Sequence, residues 1–102
     1  MVYPYLLNKH AHEEYIAAYE WYELKQEGLG DRFMLAVEKK LLQVSQHPEH
    51  YGKTNLNFRQ TKIENFPYMI VYEIFTRKQQ IHIASIYHQK RKQKKKYRRL
   101  RK

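Results

Sequence analysis

The chain has 102 residues, a formal net charge of +10 at pH 7 and no cysteine. That length holds one domain near the lower end of what a single core sustains, and the missing cysteines exclude disulfides and thiolate metal sites, as expected of a cytoplasmic protein. No apolar run of about 18 residues is present, so no membrane-spanning helix is expected, and the start MVYPYLLNKH lacks the charged region and apolar stretch of a signal peptide.

In chain order, Val2–Leu7 reads as a short strand, with Pro4 placing it at a sheet edge or a strand start. Asn8 is a helix cap, able to accept a backbone N–H from the next turn. From Lys9 to Glu27 the residues are helical in type. Tyr15, Tyr19 and Tyr22 fall at i, i+4 and i+7, with Ala11 and Ala18 on the same side and Ile16 close by. Glu13, Glu14, Glu20 and Glu23 lie mostly off that stripe. Gly28 suits the left-handed conformation that ends a helix, and Leu29 is placed to pack back onto the last turn.

Asp31 reads as the N-cap of a second helix. Its stripe is Phe33, Val37, Leu41 and Val44, widened by Met34 and supported by Leu42, while Lys39, Lys40 and Gln43 face water. Pro48 stops it. The short link Gly28–Asp31 makes the two helices an antiparallel hairpin. After a polar crossing over Glu49–Asn57, three strands follow at Arg59–Glu64, Tyr68–Phe75 and Gln80–Tyr87, rich in β-branched and aromatic residues. In the middle one Tyr68, Ile70, Tyr72 and Ile74 point one way and Met69, Val71, Glu73 and Phe75 the other. The expected fold is α+β: a helical hairpin on one face of a mostly antiparallel sheet, in the order β-α-α-β-β-β.

The charge is unevenly placed. Residues 1–88 hold ten Lys/Arg and all ten acids, so they are formally neutral. The last 14 residues, QKRKQKKKYRRLRK, hold the other ten cations and no acid. The chain therefore divides into a domain over 1–88 and a basic tail over 89–102. Such a block stays solvated until an anionic partner neutralises it. Lys90, Arg91, Lys92, Lys94, Lys95, Lys96, Arg98 and Arg99 are the expected nucleic-acid or target contacts. The histidines lack ligand spacing: His10 and His12 are too close for one helical face, and His47 and His50 flank Pro48. Neither a metal nor a cofactor is expected.

The element order, with the segments AYEWYELKQEGLGDRFMLAVEKKLLQVSQHPEHYG, FRQTKIENFPYMIVYEI and IHIASIYHQKR, resembles the RelE/ParE superfamily of bacterial toxins over about residues 2–91. These are the toxic halves of type II toxin–antitoxin modules, so the resemblance implies a growth-inhibiting protein with a separate antitoxin. Members resembling RelE cleave messenger RNA on the ribosome. That chemistry needs clustered cations and an acid–base group, which the resemblance places at Arg59, Lys62, His88 and Arg91, with Tyr87 beside His88 loosely matching a position where some nucleases carry a catalytic His or Tyr. Members resembling ParE bind DNA gyrase and need no catalytic group. Where many nucleases of the family carry an arginine, this chain has Met69, and Gln60 occupies a second basic position. Binding to a target such as gyrase is therefore expected, with ribosome-dependent RNA cleavage or a non-toxic nucleic-acid-binding module as alternatives.

Plainer readings stand beside these. Tyr68 and Tyr72 are core aromatics, Lys62 is the solvated side of a strand, and Arg59 braces the sheet against an acid such as Glu73. Trp21 is a packing residue or an antitoxin contact.

Overall fold

Asn8 ends the first strand and starts the first helix, its side chain accepting the Ala11 N–H at 2.8 Å. The computed structural model describes residues 2–54 and 56–90, so the tail contacts expected from Arg91 onward lie outside the described residues. The elements are β1 (Tyr5–Leu7), α1 (Lys9–Lys25), α2 (Leu29–Gln46), β2 (Phe58–Lys62), β3 (Tyr68–Phe75) and β4 (Gln80–His88). β1 is shorter than the expected Val2–Leu7. The Tyr3 N–H bonds Ser45 O on α2 instead of a strand, fixing the chain end across the helix.

The turn between the helices corrects two expectations. α1 stops at Lys25 rather than Glu27, with Gln26 already extended and its N–H on Tyr22 O. α2 begins at Leu29 with Gly28 as its cap, so Asp31 lies inside the first turn. Glu23 explains both shifts. Its carboxylate accepts from the Gly28 N–H and the Gly30 N–H, each at 2.9 Å, so α2 is already capped before Asp31, upstream of the Phe33 and Met34 N–H groups that an Asp31 cap would serve. Asp31 accepts the Tyr19 hydroxyl instead, at 2.8 Å. Gly28 has φ +86°, and a Cβ on Gly30 would stand 2.8 Å from Tyr19 O. One glycine serves a left-handed bend and the other a close approach.

The stripe of α2 holds: Phe33, Val37, Leu41 and Val44 are buried, whereas Met34 and Leu42 are exposed and do not widen it. Across the hairpin Tyr15 donates to Glu38 Oε2 at 2.9 Å and Tyr5 to its Oε1 at 3.3 Å. Phe33 packs against Tyr22, Phe66 and Tyr68 with ring centroids 5.1–5.2 Å apart, joining both helices to the sheet.

The sheet order is β1-β4-β3-β2. β1 runs parallel to β4, and the other pairs are antiparallel. The parallel pair follows from the helical hairpin, which supplies the long crossover that parallel strands need. Tyr68, Ile70 and Tyr72 face the helices, while Met69 and Val71 belong to a second cluster with Phe58, Ala84 and Tyr87. The alternation of β3 is as expected.

The crossing loop is held from below. Tyr72 donates its hydroxyl to Pro48 O at 2.6 Å. Arg59 Nη1 donates to Tyr51 O at 2.7 Å and Glu49 O at 3.4 Å. The expected Arg59–Glu73 brace is thereby replaced. Arg59 is opposite Tyr72, while Glu73 is opposite Phe58, so the two side chains stand on different faces of the sheet.

Burial pushes the Tyr72 hydroxyl up to about 12 from its ordinary 10.0, against the lowering pull of Arg59. A phenol whose folded pKa is raised binds more protons folded than unfolded between those values, so it destabilises the fold as pH climbs from about 10 to 12. The alkaline limb of the unfolding curve should therefore be less steep in Tyr72→Phe than in the parent. A denaturant titration repeated across that range checks this, and equal slopes would refute it.

Candidate functional site

β1 pairs only with Ile81–Ile83. Beyond Ile83 the outer edge of β4 runs beside α1, and here the sheet is irregular. Val71 pairs with Ser85 but Tyr72 pairs with Ile83, so Ala84 is an extra residue, a β-bulge. Glu14 reaches this bulge from α1. Its Oε1 accepts from Ser85 Oγ and from the Ile86 N–H, both at 2.8 Å, and its Oε2 stands 3.3 Å from His10 Nε2. A backbone donor that the bulge turns away from the ladder is thus satisfied by a carboxylate.

One turn further along, Glu14, Ala17, Ala18 and Trp21 of α1 face Tyr68 of β3 and Ile86, Tyr87 and His88 of β4 across a cavity of about 200 Å³. The His88 ring lies edge-on to Tyr68 at 5.2 Å. Its Nδ1 accepts the Lys90 N–H at 3.1 Å, so in the neutral ring the proton sits on Nε2. Trp21 is 45% exposed, with the Lys25 ammonium 4.7 Å from its ring centre. Leu24, 89% exposed, extends the stripe Ala17–Trp21–Leu24 at i, i+4, i+7 along the open side of α1.

The opposite face of the sheet carries a different row. Lys62, Met69 and Tyr87 are in register across β2, β3 and β4. Lys62 is exposed, and Tyr87 donates to Gln60 Oε1 at 3.4 Å. Burial raises the pKa of the Tyr87 hydroxyl.

The residues named from the sequence are therefore distributed. His88 and Trp21 share the cavity. Arg59 lies on the helix-facing side at the far end of the sheet, holding the loop. Its partner Tyr72 and the partner of His88, Tyr68, are four residues apart on β3. With one strand spacing on each side, that puts Arg59 and His88 about 16 Å apart between Cα atoms. Lys62 projects from the other face, Lys90 is exposed in the turn after β4, and Arg91 lies outside the described residues. Tyr87, which the resemblance set beside His88, lies on the opposite face of the sheet from it, and Glu14 was not singled out from the sequence. A signal existed for Glu14, which lies three residues after Ala11 and four before Ala18, on the buried side of α1.

Residues 5–93 match the family model described as the ParE toxin of the type II toxin–antitoxin system, parDE. No curated protein matches the chain. Among solved structures the fold is similar to the chromosomal ParDE toxin–antitoxin system of P. aeruginosa, with TM-score 0.74 and 13% identity over 85% of this chain and 96% of that one. It is also similar to the toxin RelE of E. coli. A mutant in the free state gives TM-score 0.71 and 19% identity over 96% of this chain and 93% of that one. The isolated toxin gives 0.64 and 17%, covering 97% of each chain. Because that family model spans most of the chain, the chain belongs to the ParE toxin family of type II toxin–antitoxin systems.

Proposed function

We propose that this toxin acts in the cytoplasm by binding a protein target such as DNA gyrase, cuts no RNA, and is held in check by an acidic antitoxin. The observation carrying this reading is the separation of the candidate catalytic groups. In-line RNA cleavage needs an acid–base group and cations around one phosphate. Here Lys62 and His88 belong to opposite faces, Arg59 is committed to the carbonyls of Glu49 and Tyr51, and the centre of the open face is Met69. A thioether stabilises no phosphorane. The apolar stripe of α1 and the basic tail suit a protein surface that lies next to nucleic acid, as a DNA-bound enzyme does.

Two assays run side by side test it. Purified protein should block gyrase supercoiling while leaving messenger ends unchanged in a translating cell extract. New codon-specific ends that vanish in His88→Ala would overturn the binding reading, because they would require proton transfer at that imidazole.

A further inference from the structure

We propose that the basic tail of this chain docks on the acidic outer face of its own α1, which competes there with nucleic acid for the tail cations. Three observations carry the inference, and none of them depends on the identity of the toxin's target.

The first is a helix face that the described residues leave open. Ala11, Ala18 and Tyr22 are the buried residues of α1. Glu13, Ile16, Glu20 and Leu24, at i, i+3, i+7 and i+11, lie on the opposite side of the helix and are exposed, Leu24 to 89%. Among the described residues neither Glu13 nor Glu20 has an ion-pair partner. Long Lys and Arg stems cover exposed aliphatic surface while their heads reach carboxylates, so a face that interleaves the two suits a cationic segment.

The second is charge. Residues 13–31 hold six of the ten acids and a single cation, Lys25, whose ammonium lies over Trp21. Residues 89–102 hold ten cations and no acid. The two strongest concentrations of charge in the chain are therefore of opposite sign. An acidic partner meets like charge on this face, and so does the α1 of a second copy, and like charges juxtaposed oppose association. The tail is the segment whose charge fits.

The third is reach. His88 and Trp21 line the same cavity, so the tail leaves β4 beside the second half of α1. The 12 residues after Lys90 extend to about 40 Å, and the 17 residues of α1 rise about 25 Å. The tail therefore spans the whole face. Its apolar residues, Tyr97 and Leu100, stand about 10 Å apart in extended chain, and Ile16 and Leu24 about 12 Å apart along the helix. The two pairs match. A short connection gives a tethered segment an effective concentration in the millimolar range, so the chain's own tail outcompetes that of a second copy. Cations held on the α1 carboxylates are withheld from phosphates, and a polyanion must displace α1 before it gains the release of its own counterions.

The chain has no cysteine, so Gln93→Cys gives one site for a nitroxide without removing a tail cation. At low salt the label should broaden the amide signals of Glu13, Ile16, Glu20 and Leu24. At about 1 M salt, where the screening length is about 3 Å, those signals should sharpen. Spin-labelled chain mixed with isotope-enriched chain lacking the label should leave them sharp at low salt too. Glu13→Gln combined with Glu20→Gln should remove most of the broadening and tighten binding to a labelled duplex about fivefold at low salt, since a tail docked for a fraction of the time taxes its competitor by that fraction. Glu49→Gln combined with Glu64→Gln makes an equal change of net charge away from α1 and should bind within about twofold of the parent. All four glutamates are exposed, so both double variants should keep the parent's melting temperature. Absence of broadening at low salt, or its transfer to the unlabelled chain in the mixture, overturns docking of the tail on its own α1. Equal tightening in both double variants overturns the competition, because net charge alone would then set the affinity.

Discussion

A chain ending at Lys90 is expected to bind DNA or RNA about 10³-fold more weakly than the full chain at low salt. The reason is the placement of charge. Residues 1–88 balance ten cations against ten acids, and ending at Lys90 leaves one tail cation of ten. Each phosphate neutralised by a Lys or Arg releases counterions, and log K falls with log salt at a slope of about −0.9 per contact on duplex DNA. If six or more tail cations engage, affinity for the full chain should drop about 10³-fold or more between about 50 and 200 mM salt, with little dependence on sequence. The shortened chain should show a shallow slope or none. Its fold should survive, because it keeps the Gln89 N–H on Pro67 O at 2.8 Å and the Lys90 N–H on His88. Fluorescence anisotropy with labelled duplex and single strands, beside circular dichroism of both chains, is the measurement. Equal binding by the two chains at low salt would show that the tail is not the contact.

The elements of this fold were legible because their signals are local. Period-four apolar spacing located Phe33, Val37, Leu41 and Val44, and alternation located the two faces of β3, and each of these positions is buried or faces as the spacing requires. What was not legible depends on one side chain reaching across a turn. Asp31 has the chemistry of an N-cap, yet Glu23, seven residues before Gly30, takes the Gly28 and Gly30 N–H groups, and the helix has started before Asp31 is reached. Neither residue's identity distinguishes the outcomes. The choice is made by the left-handed Gly28, which brings the start of α2 back over Glu23. The Arg59–Glu73 pairing failed for a related reason: opposite charges near each other in sequence order carry no information on register, and register put them on different faces.

The site was legible only in pieces. Trp21 and His88 could be named as candidates, one as an apolar anchor and one as a strand-end imidazole, but nothing in their spacing of 67 residues joins them. They meet because β1 is too short to cover β4 beyond Ile83 and α1 occupies the space left over. Ala84, the bulge residue, and Glu14, which serves the bulge, are likewise consequences of strand pairing. A bulge inserts one residue into β4, so a count of alternating residues along it goes out of phase midway. The nuclease alternative implied by the resemblance would gather Arg59, Lys62 and His88 at one phosphate. The pairing register is what separates them.

Phe33→Ala should be the most damaging single substitution in the core, costing about 3–5 kcal/mol. Phe33 is buried and its ring touches four others, with centroids 5.2 Å from Tyr22, 5.2 Å from Phe66, 5.1 Å from Tyr68 and 6.1 Å from Tyr15. Those rings come from α1, from the turn before β3 and from β3 itself, so one truncation loosens the contact of both helices with the sheet. Edge-to-face pairs add about 0.5–1.5 kcal/mol beyond their area, and a rigid hairpin closed by Glu23 cannot collapse far into the void. A domain of this size holds roughly 5–15 kcal/mol in total, so the variant should sit close to its unfolding midpoint at body temperature. Toxicity would then fall through loss of folded protein, with target affinity per folded molecule unchanged. Phe33→Leu keeps most of the volume and should lose less than half as much. Leu35→Ala, two residues away but exposed, should stay within about 0.5 kcal/mol of the parent. Urea titration with a common m-value separates the three. A Phe33→Ala midpoint shift worth less than about 1 kcal/mol would mean that the aromatic cluster is not where the helices and sheet are joined.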